Sequence, residues 1–191
     1  IILGTRPEII KLSPIIRELQ NRKIDFFILH TNQHYSPKLD KVFFAELNLP
    51  QPRYNLGIND LNHGAMVGKM LLGIEPILIQ EKPNWVLVQG DTNTVMAGAI
   101  AASKLGIKVG HIEACLRSYD HTMPEELNRI VADHLAKALF CPTDSSVKIA
   151  IGEGIPNEKI HLTGNTIADA VEQNLTIAKK SKIAMKYKSQ N

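Results

Sequence analysis

Residues 85–92 read WVLVQGDT and contain the clearest buried strand of the chain. Four apolar residues, Trp85–Val88, are followed directly by the polar turn Gln89–Thr92. Residues 94–104 are rich in Ala and Gly, which predicts a helix that packs closely against its neighbours. A buried strand that leads through a short polar turn into a helix is the repeating unit of a parallel α/β sheet.

The same alternation of strand and helix extends in both directions from this unit. Apolar runs predict strands at residues 1–3, 24–30, 53–56, 107–112, 139–141 and 160–162. Helical spacing predicts a first helix that ends near residue 20 and a last helix that follows residue 165. Between them it predicts further helices at residues 37–47, 61–80, 124–138 and 144–153. The predicted fold class is therefore α/β, a doubly wound parallel sheet with helices on both faces. Ligands of such sheets bind at the carboxyl ends of the strands.

Composition excludes several classes of protein and partner. An apolar content of 44% with a net charge of +3 excludes a disordered chain. No stretch approaches the roughly 20 apolar residues of a membrane span, and no signal peptide is recognisable. The lysines between Lys179 and Lys188 predict a solvated helix end rather than a nucleic-acid arm, because aromatic residues are sparse there. Cys115 and Cys141 lie in core-like segments and are interpreted as reduced thiols of a cytoplasmic protein.

A first polar cluster follows the first predicted strand, at Gly4–Glu8. Thr5 and Glu8 have the spacing of a capping box, and a helix N-terminus attracts anions. Arg6, with Lys11 one turn later, would add positive charge for an anionic ligand. A well-capped helix with two surface cations explains the same residues. The glycine spacing excludes both a nucleoside-triphosphatase phosphate loop and a dinucleotide fingerprint.

Three further strand ends carry polar side chains. The loop Thr31–Tyr35 is polar throughout, and an ordinary loop explains it equally well. Asp91 follows a buried strand and fits either a ligand site or the N-cap of the next helix. Glu113 ends another buried strand, where a carboxylate is costly unless it is paired or used. Downstream, an exposed ladder of ion pairs would explain a set with i, i+4 and i+8 spacing, namely Glu125, Arg129 and Asp133.

Together these positions predict one site at one edge of one sheet. Three carboxylates, Asp91, Glu113 and Glu125, offer general acid and base groups. Arg6, Lys11 and Arg117 would hold an anionic substrate such as a nucleotide diphosphate. Histidines and cysteines lack the spacing of a zinc site.

Six motifs occur in a characteristic order, namely Gly4–Glu8 with Lys11, Gln89–Thr92, His111–Ala114, Leu116–Arg117, Pro124–Arg129 and Thr163–Thr166. In this order they resemble the non-hydrolysing UDP-N-acetylglucosamine 2-epimerase family, over residues 1–171. The resemblance implies the Rossmann-like N-terminal domain of a GT-B fold at residues 1–175. Residues 176–191 would be a Lys-rich helix end that starts the passage to a second domain. No part of this sequence resembles the second domain of the family. Cys115 stands where the family has Gly, so a positive φ there would strain it.

The resemblance also implies a reaction and a set of residues. UDP-N-acetylglucosamine and UDP-N-acetylmannosamine would interconvert by elimination and re-addition of UDP through a 2-acetamidoglucal, without a metal or redox cofactor. The acid and base groups would be Asp91, Glu113 and Glu125. The substrate-binding set would be Arg6 and Lys11, which stabilise the diphosphate, with Arg117 and Arg129, which position the carboxylates or touch phosphate. A second nucleotide-sugar site would include Gln33, His34 and Lys69, and the full-length form would be a homodimer.

Three functional hypotheses remain open from the sequence. The chain is the N-terminal half of such an epimerase, inactive by itself because a cleft with one wall cannot bind uridine or exclude water. Alternatively, it belongs to a hydrolysing epimerase or to a relative that acts on another UDP-sugar, such as a diacetamido-uronate. The third hypothesis is a non-catalytic interaction module that retains the motifs.

Overall fold

A computed structural model describes residues 1–33, 37–59 and 62–178 of the chain. Seven parallel strands alternate with helices in the described residues, as the sequence predicts. The strands are β1 (Ile2–Leu3), β2 (Leu29–His30), β3 (Tyr54–Asn55), β4 (Trp85–Gln89), β5 (Lys108–Ile112), β6 (Ala138–Cys141) and β7 (Ile160–Leu162). The α-helices are α1 (Arg6–Asn21), α2 (Pro37–Glu46), α3 (His63–Glu81), α4 (Asn93–Lys104), α5 (Pro124–Leu135), α6 (Asp144–Gly152) and α7 (Thr166–Ala178), and a short 3₁₀ helix spans Asn157–Lys159. The strand predicted at 24–30 is reduced to its last two residues.

The strands form two hydrogen-bonded sheets, with the orders β1-β2-β3 and β4-β5-β6-β7. The sequence predicts one sheet, and the difference arises between β1 and β4, which lie beside each other without a ladder between them. With β1 placed next to β4, the spatial order 3-2-1-4-5-6-7 is that of a doubly wound fold. The order reverses between β1 and β4, so the turns that follow these two strands flank the position where such folds bind ligands.

Helices cover both faces of the strands with separate apolar cores. On one face α4 packs on β4 and β5, α3 packs on α4, and Met70 and Ile74 of α3 are fully buried there. On the other face Ile9 and Leu12 of α1 meet Phe44 of α2. Two buried cores on opposite faces are what a parallel sheet with crossover helices requires. The predicted close packing of α4 is confirmed by its Gly98, where a Cβ atom would lie 3.2 Å from the side chain of Val88.

Gly4, between β1 and α1, gives the first testable prediction. A Cβ atom at this position would lie 2.2 Å from the hydroxyl oxygens of Thr31 and Thr94, which also hydrogen-bond each other at 2.7 Å. We expect Gly4→Ala to lower the free energy of unfolding by about 1–3 kcal/mol or more, because overpacking forces these groups apart. Urea denaturation followed by circular dichroism measures the change. Gly68→Ala in α3, where the new methyl meets nothing within 4 Å, should instead stabilise by about 0.5–1 kcal/mol.

Among the residues that the structure describes, no helix is both long enough and apolar enough to cross a membrane.

Candidate active site

The turn between β1 and α1 is joined to the turn between β4 and α4 by one buried carboxylate. Glu8 accepts hydrogen bonds from the backbone N–H groups of Gly4 at 2.8 Å and Thr5 at 2.6 Å, as the capping-box prediction requires. Its other oxygen accepts a 2.8 Å hydrogen bond from the hydroxyl of Thr92. Burial raises the pKa of Glu8, and these hydrogen bonds oppose the increase. The two turns are therefore held at a fixed separation. Arg6, the first residue of α1, is exposed and has no ion-pair partner among the described residues.

Asp91 is available to a ligand rather than used as a helix cap. Thr92 is the N-cap of α4, and its hydroxyl accepts from the backbone N–H of Val95 at 3.4 Å. The carboxylate of Asp91 instead accepts a 2.8 Å hydrogen bond from the guanidinium of Arg129 in α5. The Asp91 side chain remains 41% exposed although Arg129 is largely covered. Of the two roles left open by the sequence, the structure excludes the N-cap.

Glu113 lies at the end of β5 and is held by three donors. Lys11 Nζ of α1 donates to Glu113 Oε2 at 2.6 Å, and the side-chain amide of Gln89 donates to the same oxygen. Asn165, which follows β7, donates to the other oxygen at 3.4 Å. The Glu113 backbone is left-handed, with φ of +64°, an unfavourable conformation for a residue other than glycine. The cost that a buried carboxylate incurs at a strand end is thus offset by an ion pair and two amide donors.

All three predicted carboxylates converge at this edge. Burial is the main cause that raises the pKa of Asp91. The charge of Arg129 lowers this pKa, the charges of Glu113 and Glu125 raise it, and the charge of Lys11 lowers it. The five groups therefore lie within electrostatic reach of one another, although they come from four separate elements or turns. The cluster therefore combines three carboxylates, the residue type used for general acid and base catalysis, with two cations that pair with Glu113 and Asp91.

Arg117 lies away from solvent, behind this site. Its side chain is 1% exposed and donates to Asp133 at 2.7 Å and, through two nitrogens, to Glu153 at 2.7 Å each. The exposed ladder of Glu125, Arg129 and Asp133 is therefore wrong: Arg129 pairs with Asp91, and the Asp133 side chain is fully buried. The ladder fails because Arg129 and Asp133, one turn apart on α5, pair with Asp91 and Arg117 rather than with each other.

The second predicted site is only partly described. Gln33 Oε1 accepts hydrogen bonds from the backbone N–H and the hydroxyl of Thr94, both at 3.1 Å, so this side chain is fixed at the start of α4. Lys69 is exposed on α3. His34 lies outside the described residues.

The sequence did not single out several residues that build the site. Glu126 is fully buried and accepts from the backbone N–H groups of Ser118 at 3.0 Å and Tyr119 at 2.9 Å. Asn128 donates to the backbone carbonyl of Asp91 at 2.9 Å. Both belong to the quoted Pro124–Arg129 motif, so the motif contains a signal for them. Nothing in the sequence pairs His111 with Asp133, which are hydrogen-bonded at 2.7 Å in the interior.

The buried pair of His111 and Asp133 predicts a pH dependence of stability. Burial alone would lower the pKa of His111, but the hydrogen bond and charge of Asp133 and the carbonyl of Gly90 raise it above its usual value. Since the folded pKa exceeds the unfolded one, the contribution is complete below about pH 6.5 and is lost as pH rises through the folded pKa. We expect the difference in unfolding free energy between the native chain and His111→Gln to shrink from pH 6 to pH 9 in urea titrations. A difference that grows with pH would contradict the assignment.

Comparisons with known proteins identify the family of this chain. The family described as UDP-N-acetylglucosamine 2-epimerase matches residues 17–191. A UDP-N-acetylglucosamine 2-epimerase of Methanococcus maripaludis is 60% identical over 187 residues, which are 98% of this chain and 50% of that protein. A solved structure of Methanocaldococcus jannaschii UDP-GlcNAc 2-epimerase in complex with UDP-GlcNAc and UDP has a TM-score of 0.94 at 57% identity, covering 97% of this chain and 51% of that one. A UDP-2,3-diacetamido-2,3-dideoxy-D-glucuronate 2-epimerase of Pseudomonas aeruginosa is 42% identical over 172 residues, 88% of this chain and 49% of that protein.

The fold defines a doubly wound α/β domain of the GT-B-like class, with a cluster of carboxylates at the carboxyl ends of its strands. The chain belongs to the UDP-N-acetylglucosamine 2-epimerase family. It spans about half the length of the curated relatives it matches.

Proposed function

We propose that this chain forms the N-terminal half of the active site of an enzyme that interconverts UDP-N-acetylglucosamine and UDP-N-acetylmannosamine. The observation that carries the proposal is the convergence of Asp91, Glu113 and Glu125 beside Lys11 and Arg129 at the carboxyl ends of β4 and β5. The identity of 60% to a relative named for this activity supports the choice of substrate.

The proposed reaction has two balanced halves. A base removes the proton from C2 of the sugar while the C1–O bond breaks, so that its electron pair leaves with UDP and a 2-acetamidoglucal remains. UDP oxygen then re-forms the bond to C1 while an acid delivers a proton to C2 from the opposite face. The two faces of the sugar require two proton-transfer groups, and the three carboxylates supply them.

The contacts of each group suggest how it takes part. The raised pKa of Asp91 makes its protonated form more accessible than in an ordinary aspartate, which suits a group that alternates between acid and base. Lys11 holds Glu113 in one orientation and, together with the exposed Arg6 at the start of α1, would stabilise the departing diphosphate. Arg129 orients Asp91 directly. For Arg117 the structure favours positioning over phosphate contact, because its side chain is buried.

The remaining parts of the proposal concern the longer protein. Residues 1–175 would be the N-terminal domain, and residues 176–191 would lead towards a second domain. That domain would supply the other wall of the cleft and most contacts to uridine. The active form would be a cytoplasmic homodimer. Gln33, His34 and Lys69 would contribute to a second nucleotide-sugar site, and the fixed position of Gln33 at the start of α4 supports its part in this.

A second candidate substrate is a UDP-diacetamido-uronate. The 42% identity to a relative named for that activity favours it over other sugars. Both candidates share the C2 inversion, so the acid–base groups serve either one. The two differ in the groups attached to the sugar ring, which the second domain and the exposed edge of this one would contact.

Exchange of the C2 proton tests the proposed function. We expect a two-domain protein, in which this chain is joined to the C-terminal half of the M. jannaschii relative, to place deuterium at C2 of UDP-N-acetylglucosamine in heavy water and to form the epimer. The 191-residue chain alone should show negligible exchange. If the two-domain protein exchanges the C2 proton of the diacetamido-uronate but not that of UDP-N-acetylglucosamine, the proposal passes to the second substrate. Silence with both would contradict the enzymatic proposal.

A further inference from the structure

His111 and Asp133 lie behind the candidate site and take no part in the proposed proton transfer. Both side chains are fully buried. One imidazole nitrogen, Nδ1, lies 2.7 Å from Asp133 Oδ1, and the other, Nε2, lies 2.7 Å from the carbonyl oxygen of Gly90. Since a carboxylate and a carbonyl both accept, both imidazole nitrogens donate, and His111 is an imidazolium.

Each partner of this pair is attached to a turn that carries a proposed acid–base group. The carbonyl of Gly90 immediately precedes Asp91, and the backbone N–H of Gly90 donates to Ile112 at 3.0 Å. Asp133 accepts from the backbone N–H of Cys115, with both carboxylate oxygens at 3.1 Å. Cys115 is two residues beyond Glu113. The pair therefore links the turn of Asp91 to the turn of Glu113 on the interior side of the candidate site.

The turn that carries Glu113 needs such a bridge because its backbone is strained. Glu113 and Cys115 both have left-handed φ angles, +64° and +60°, and neither is a glycine. Strained residues persist only where the surrounding structure over-determines them. Asp133 supplies that constraint at Cys115, and Arg117, held between Asp133 and Glu153, anchors the far end of the same turn.

We propose that His111 and Asp133 are positioning residues that fix the distance and orientation between Asp91 and Glu113. The proposal rests on the function proposed above for those two carboxylates. A shift of about 1 Å in a catalytic group can cost on the order of 100-fold in rate. Loss of the bridge should therefore lower kcat and leave KM nearly unchanged, because Arg6 and Lys11, the groups assigned to the diphosphate, belong to α1 rather than to the two bridged turns.

The kinetic test uses the two-domain protein described above. We expect His111→Gln and Asp133→Asn each to lower kcat about tenfold or more, with KM within about threefold of the unsubstituted value. The kcat of the double variant should be no lower than that of the less active single variant, because the two residues act as one unit. Additive losses, or an unchanged kcat in Asp133→Asn, would overturn the proposal. Leu78→Ala, which removes a buried side chain from α3 away from the bridge and leaves a cavity, is the control for general loss of stability.

Hydrogen exchange of the 191-residue chain tests the bridge without any activity. We expect Asp133→Asn to raise the exchange rate of the backbone amides of residues 113–117 at least tenfold, while amides of α3 change less than threefold. Equal increases in both segments would reduce Asp133 to a general stabilising residue and overturn the proposal. If the unsubstituted two-domain protein exchanges the C2 proton of neither sugar, the proposed function fails, and the hydrogen-exchange experiment still decides whether the bridge holds the turn.

Discussion

Glu113→Gln in the two-domain protein is expected to lower kcat for epimerisation by about 10²–10⁴-fold, the usual contribution of a general acid or base. The amide has nearly the shape of the carboxylate, and its oxygen can still accept from Lys11 and Gln89, which hold the native side chain. The substitution therefore removes the proton-transfer capacity and the negative charge while it leaves most contacts in place. Deuterium incorporation at C2 should fall in parallel with epimer formation, because both require proton transfer at that carbon.

Glu81→Gln is the matched control for this experiment. Glu81 ends α3, near the amino end of β4, and accepts from Arg53 at 2.9 Å. The same chemical change should leave kcat within about twofold, because Glu81 contacts Arg53 and Tyr54 at the opposite ends of the strands from the proposed acid–base groups. If Glu113→Gln retained native kcat and C2 exchange, Glu113 would be a structural partner of Lys11 and the acid–base role would pass to the other two carboxylates.

The fold could be predicted from the sequence because local patterns determine it. Apolar runs such as Val86–Val88 mark buried strands, and the capping spacing of Thr5 and Glu8 marks the start of α1. The division into two sheets could not be predicted, since it depends on whether β1 and β4 approach closely enough to exchange hydrogen bonds. The strand predicted at 24–30 is shorter in the structure: Leu29–His30 pairs with both neighbouring strands, whereas Phe27 and Ile28 ahead of it accept isolated hydrogen bonds from Ile1 and Arg53.

The site could be predicted only as far as strand ends are predictable. Asp91 and Glu113 were found because each follows a buried strand, and the doubly wound order then brings their turns together. Their partners come from distant parts of the chain: Lys11 is 102 residues from Glu113, and Arg129 is 38 residues from Asp91. The i, i+4 spacing of α5 favours pairs within the helix, but Arg129 contacts Asp91 at 2.8 Å and Glu126 of its own helix only at 3.5 Å. Sequence spacing carries no information about partners that other elements bring to the helix.

Replacement of Arg117 gives the largest expected change in stability. Arg117→Met should lower the free energy of unfolding of the 191-residue chain by about 3–5 kcal/mol at pH 7, the cost of breaking a buried ion pair. The loss is large because Asp133, fully buried, and Glu153 would both lose a charged donor 2.7 Å away. Arg117→Lys keeps the charge but cannot reproduce the two-nitrogen contact to Glu153, so it should lie between the native chain and Arg117→Met.

The dependence on pH separates this electrostatic cause from lost packing. Burial alone would raise the pKa of Asp133, but His111 and Arg117 together lower it below its usual value. A depressed folded pKa contributes stability that is present above the unfolded pKa of about 3.9 and is lost as pH falls through the folded value. The difference in unfolding free energy between the native chain and Arg117→Met, measured by urea titration, should therefore become smaller from pH 7 to pH 3. A packing defect would leave this difference constant. Arg22→Met, which breaks an exposed pair with Glu18 at 2.6 Å, should change stability by about 0.5 kcal/mol or less at every pH.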